Sequence, residues 1–61
     1  MTGALFPLNA EMLASAELVS AARQGDTQGV ETNLNLAGPK AIHDAFLRAA
    51  EYGHTAIVRL L

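Results

Sequence analysis

Ala21-Ala22-Arg23-Gln24-Gly25-Asp26-Thr27-Gln28-Gly29-Val30 and Ala49-Ala50-Glu51-Tyr52-Gly53-His54-Thr55-Ala56-Ile57-Val58 are the two stretches that decide how this chain folds. At an offset of 28 residues the alanine pairs coincide, as do Gly25 with Gly53, Thr27 with Thr55 and Val30 with Val58. The polar doublets before the glycines, Arg23-Gln24 and Glu51-Tyr52, repeat in class but not in identity. Constant packing positions around variable polar ones are what a stacked helical array requires, because each unit alone cannot bury its apolar face.

Working outward, each glycine stops a helix by supplying a left-handed residue, and the residue after it starts another. Asn9 is an N-cap candidate with Glu11 in the first turn, which predicts a helix to about Gln24 whose buried stripe is Met12, Leu13, Ala16, Val19 and Ala22. Asp26 predicts the cap of a second helix over 27–36, packed through Val30 and Leu34 although Gly29 lies inside it. A two-residue connection forces these helices antiparallel. Gly38 is expected to close the second helix and Pro39 to open the third, which runs to about Tyr52 with Ala41, Ile42, Ala45, Phe46, Ala49 and Ala50 on its packed face. His54 begins a fourth segment with Ile57, Val58, Leu60 and Leu61 on its buried side. Residues 1–8, with Gly3 and Pro7, show no period and read as an arm. The chain stops at Leu61 without a cap, which predicts an element cut short.

The prediction is therefore an all-α chain of stacked antiparallel helix-turn-helix hairpins. It forms a single domain over 1–61, with an arm over 1–8, a first degenerate hairpin over 9–37 and a truncated second repeat over 38–61. Composition limits what such a domain can do. Of 61 residues 51% are apolar, but twelve are alanine and three aromatic, so the core is thin. No cysteine is present to brace it. Four basic residues against six acids, a net charge of −2, give no footprint for a row of phosphates and argue against nucleic acid. The apolar N-terminal stretch lacks a positive leading region and contains Glu11 and Glu17, so it does not read as a signal peptide. No run reaches the roughly 18 apolar residues of a membrane span. A cytoplasmic protein that does not engage membranes is the expectation.

The stretch from Ala45 through Gly53-His54-Thr55-Ala56-Ile57-Val58 to Leu61 resembles the inner helix, tight turn and outer helix of the ankyrin repeat. A more degenerate copy occupies Glu17 to Leu34, and the two copies cover somewhat more than half of the chain. The family's Thr-Pro-Leu-His start is replaced by Asp44-Ala45-Phe46-Leu47 and Ala16-Glu17-Leu18-Val19. The spacing of 28 falls short of the family's roughly 33, and the shortfall lies between Leu34 and His43, where a short loop and a longer inner helix are expected in place of a projecting finger.

The resemblance implies a non-catalytic scaffold that binds a protein partner through its concave inner-helix face. It places Arg23, Gln24, Glu51 and Tyr52 on that face, with Ser20 and Arg48 beside them. No cofactor is implied. The alternative is a capping or oligomerisation segment of a longer repeat protein, with the partner site elsewhere and self-association through the end marked by Leu60 and Leu61.

Other chemistry finds little support. His43 and His54, with Asp44, Glu51 or Asp26 as oxygen donors, lack the close ligand spacing of structural zinc sites. The carboxylate pairs Glu11/Glu17 and Asp44/Glu51 are not one helical turn apart, so they do not read as a general acid and base. Asp44 is better placed to pair with Arg48 four residues on, or with Lys40 one turn back. Ser15 and Ser20 have no glycine-framed elbow. A DNA-reading helix-turn-helix would need basic residues in its second helix, and 27–36 contains none.

Overall fold

A computed structural model of the chain describes residues 10–61 and contains four helices. They are α1 (Ala10–Gln24), α2 (Thr27–Leu34), α3 (Pro39–Glu51) and α4 (Thr55–Leu60), and no strand occurs among the described residues. The arm over 1–8 and the Asn9 cap lie outside those residues. Helices α1 and α2 form one hairpin and α3 and α4 a second. The hairpins pack with α1 against α3 and α2 against α4.

The two glycine turns are near-copies. Gly25 and Gly53 have φ of 78° and 77°. The amide of Asp26 donates to the Ala21 carbonyl at 2.9 Å, and that of His54 to the Ala49 carbonyl at 2.8 Å. The next helix is then entered by Val30 N–H to the Asp26 carbonyl and Val58 N–H to the His54 carbonyl, both at 3.1 Å. The left-handed glycine lets the last carbonyls of one helix find donors while the chain reverses.

The residues after the glycines work differently. Asp26 caps its own helix, its side chain accepting from Gly29 N–H at 3.1 Å. His54 makes no side-chain cap bond. Its ring instead reaches the first hairpin, Nε2–H donating to the Arg23 carbonyl at 3.1 Å. At the other end of the inner helices, the Gly38 amide donates to Ser15 Oγ at 3.0 Å. Helices α1 and α3 are thus tied at their N-terminal halves and at their C-terminal turns, which makes them parallel neighbours.

Two boundaries differ from the sequence reading. Helix α2 ends at Leu34 rather than 36, because the amides of Leu36 and Ala37 both bond back to the Asn33 carbonyl. Within α2 the side chains of Thr32 and Asn33 also donate to the carbonyls of Gln28 and Gly29, competing with continued helix. Gly38 does not close α2: at φ −75° and ψ 160° it is extended, as the residue before a proline must be, and it is the N-cap of α3. The loop over 35–38 is short and α3 runs for 13 residues, as the spacing predicts.

The core consists of Ala14, Leu18, Ala21, Ala22, Val30, Ala45, Ala49 and Ile57, with Leu18, Val30 and Ile57 its largest fully buried members. Each of these three contributes about 1.5–3 kcal/mol on burial. Val19, Leu34, Ala37, Ile42, Val58, Leu60 and Leu61 close over it, partly buried. Close approach is what the alanines and Gly29 permit: a Cβ at Gly29 would lie 2.9 Å from the Ala21 Cβ. The helix-propensity cost of that glycine, about 1 kcal/mol, accompanies the contact.

Of the expected buried stripe of α1 only Ala22 is fully buried. Met12 and Leu13 are 57% and 49% exposed and Ala16 is also exposed, while Ala14, Leu18, Ala21 and Ala22 are buried. Nine of the fifteen residues of α1 are apolar, so several stripes satisfy a helical period, and the helix turns to the core the sector lying between its neighbours α2 and α3. Phe46 and Ala50, expected on the packed face of α3, are exposed. Among the described residues α3 has the first hairpin on one flank and no further hairpin on the other.

Replacing the turn glycines separates backbone from packing effects. Gly53→Ala should cost about 1–2 kcal/mol, the penalty of a Cβ at positive φ, since nothing lies within 4 Å of that Cβ. Gly25→Ala should cost clearly more in the same urea titration, because its Cβ would meet the His54 ring at 2.8 Å. Equal costs would show that the turn-to-turn contact carries no load.

Candidate interaction surface

The inner helices α1 and α3 present a shared surface on the side away from α2 and α4. At its C-terminal end Ser20, Arg23 and Gln24 of α1 and Tyr52 at the end of α3 surround a hollow of about 310 Å³. Ser20 and Gln24 are one turn apart, and the Gln24 amide donates to Ser20 Oγ at 2.9 Å. Tyr52 is the C-cap of α3 and lies half-exposed, with its ring edge-on to His54 at a centroid distance of 6.2 Å. Because His54 is bonded to the Arg23 carbonyl, the second turn holds Tyr52 against the end of α1.

Four of the six residues expected to meet a partner therefore converge from two hairpins. Arg48 and Glu51 do not line the hollow. They lie on α3, where Arg48 Nη1 donates to Glu51 Oε1 at 2.9 Å and Arg48 Nε lies 3.5 Å from Asp44 Oδ1. The hydrogen bond that the guanidinium donates to Glu51, and then the charge of Asp44, push its pKa above the ordinary value. Arg48 is thus a permanent cation whose charge is matched locally. The Asp44–Arg48 pair is the one that the sequence spacing predicts. The carboxylates of Asp44 and Glu51 both face this one guanidinium.

Toward the N-terminal ends of α1 and α3 the surface changes character. A shallow groove of about 530 Å³ has Ala16, Val19, Ala41 and Leu47 as its apolar lining, with Ser15, Lys40, His43 and Asp44 at its border. This apolar half escapes the sequence reading, which looks for binding residues in the variable polar doublets. A signal existed: Val19 and Leu47 are themselves matched at the offset of 28 residues, one turn before each doublet. Val19, expected in the buried stripe, is only half-buried and lines this groove.

The remaining candidates are dispersed. His43 borders the groove and His54 lies in the turn between α3 and α4. Among the described residues no three His, Cys, Asp or Glu side chains gather as metal ligands would. Glu11 lies over Gly38 at the start of α3, away from the hollow. No helix among the described residues is long and apolar enough to cross a membrane.

The exposed ion pairs of Arg48 should add little to stability. Arg48→Ala is expected to leave the helical circular dichroism intact and to lower Tm slightly, the difference shrinking further in 0.5 M salt. A large loss insensitive to salt would mean that the side chain is structural. Comparison with family models, with curated proteins and with solved structures finds no match to this chain.

Proposed function

We propose that this chain is a non-catalytic protein-interaction module of ankyrin-like build, which binds a protein partner on the surface formed by α1 and α3. The observation that carries this reading is the convergence of Ser20, Arg23, Gln24 and Tyr52, from separate hairpins, on one hollow beside an apolar groove. An apolar area flanked by tyrosine and arginine has the make-up of an interface centre. Its side chains stand on helices braced against each other, which lowers the ordering cost of binding. The arrangement also favours binding over chemistry: the neighbour of the Ser20 hydroxyl is the amide of Gln24, which cannot take a proton as a general base does.

A photo-crosslinking side chain at position 52, compared with one at Glu31 on the exposed side of α2, will identify the partner in cells. Affinity for that purified partner can then be measured for Ser20→Ala, Arg23→Ala and Tyr52→Ala combined in one chain. A loss of at least about 30-fold with unchanged circular dichroism is expected if two side chains of ordinary interface weight are removed. Unchanged affinity in an intact fold, or equal crosslinking from position 31, would overturn the assignment of this surface.

A further inference from the structure

The offset that relates the hairpins maps Leu18 onto Phe46, Ala22 onto Ala50 and Val30 onto Val58. Leu18, Ala22 and Val30 are all 0% exposed, and belong to the core that the two hairpins share. Their counterparts are left at the end of the stack: Phe46 is 38% exposed, Ala50 is exposed and Val58 is half-buried. The backbone beneath them repeats that of the first hairpin, with matched turn φ and matched turn hydrogen bonds. An apolar face built on the same frame as a covered one continues the interface already present inside the molecule.

We propose that the Phe46, Ala50 and Val58 face receives a third helical hairpin of the same build, placed one further step along the stack. This face is distinct from the groove of α1 and α3, and the inference does not rest on that groove's function. The internal interface specifies the occupant. Its inner helix carries small side chains where α3 carries Ala45 and Ala49, and its outer helix a branched aliphatic where α4 carries Ile57, all three of which are buried against the first hairpin. A donor at its turn reaches the Glu51 carbonyl as His54 reaches that of Arg23.

A second copy of this chain, stacked head to tail, does not meet these requirements. Its first hairpin has Glu17 where the second has Ala45, so an unpaired carboxylate would be driven into the contact with Phe46 and Ala50. The charge selects a different hairpin as the occupant, one with a small apolar side chain at that position.

The test appends a repeat of residues 34–61 directly after Leu61, keeping the 28-residue interval, and compares the extended chain with the original by thermal unfolding and sedimentation velocity. The expected result is a monomer with a single transition and a Tm higher by about 10 °C. Phe46→Ala at the original position should then lower Tm several degrees more in the extended chain than in the 61-residue chain. Ala45→Glu made only in the appended repeat should abolish the gain. The proposal is overturned by an extended chain that fails to gain stability or melts in two steps. It is overturned equally by the same Phe46→Ala shift in both chains, or by a 61-residue chain that sediments as a dimer dissociated by Phe46→Glu.

Discussion

Leu18, Val30 and Ile57 come from three different helices, α1, α2 and α4, and all are removed from solvent in one cluster with Ala45 and Ala49 of α3. Neither hairpin could bury that set by itself, since each has only two short helices and a single apolar seam between them. The packing of one hairpin on the other is therefore the condition on which every other feature depends. The alanines at the seam bring the inner helices close enough for this small set of side chains to fill the interior. Where the core is this thin, side-chain volume matters less than the distance of approach, and Gly29 serves the same end between α2 and α1.

Two polar contacts set how the hairpins register. The Gly38 amide on Ser15 and the His54 ring on the Arg23 carbonyl tie α3 to α1 at separated points, so the second hairpin can neither slide nor rotate freely. His54 has a second consequence. By giving up the capping role that Asp26 plays in the first hairpin, it positions Tyr52 beside Ser20, Arg23 and Gln24. The composite hollow is thus a product of registration, not of any one helix.

The end of the stack shows the same logic from its open side. Phe46 and Ala50 have the apolar character of Leu18 and Ala22 without their cover, and the difference arises only from which flank of each inner helix has a neighbour. Helix periodicity describes a face; it does not say whether anything stands against it.

The local signals in this chain were legible because they act over a few residues. Left-handed glycines at 25 and 53, the Asp26 cap, proline at the start of α3 and the Asp44–Arg48 pair all follow from steric and electrostatic rules within one or two turns. The repeat interval likewise marked the doublets Arg23-Gln24 and Glu51-Tyr52, of which the fold gathers Arg23, Gln24 and Tyr52 around one hollow together with Ser20. What sequence could not decide was orientation. In an alanine-rich helix such as α1, many stripes are equally apolar, and only the positions of α2 and α3 select Ala14, Leu18, Ala21 and Ala22 over Met12, Leu13 and Ala16. The exposure of Phe46, the apolar groove at Val19 and Leu47, and the bridge made by His54 belong to the same class, because each depends on what lies across a gap from residues remote in the chain.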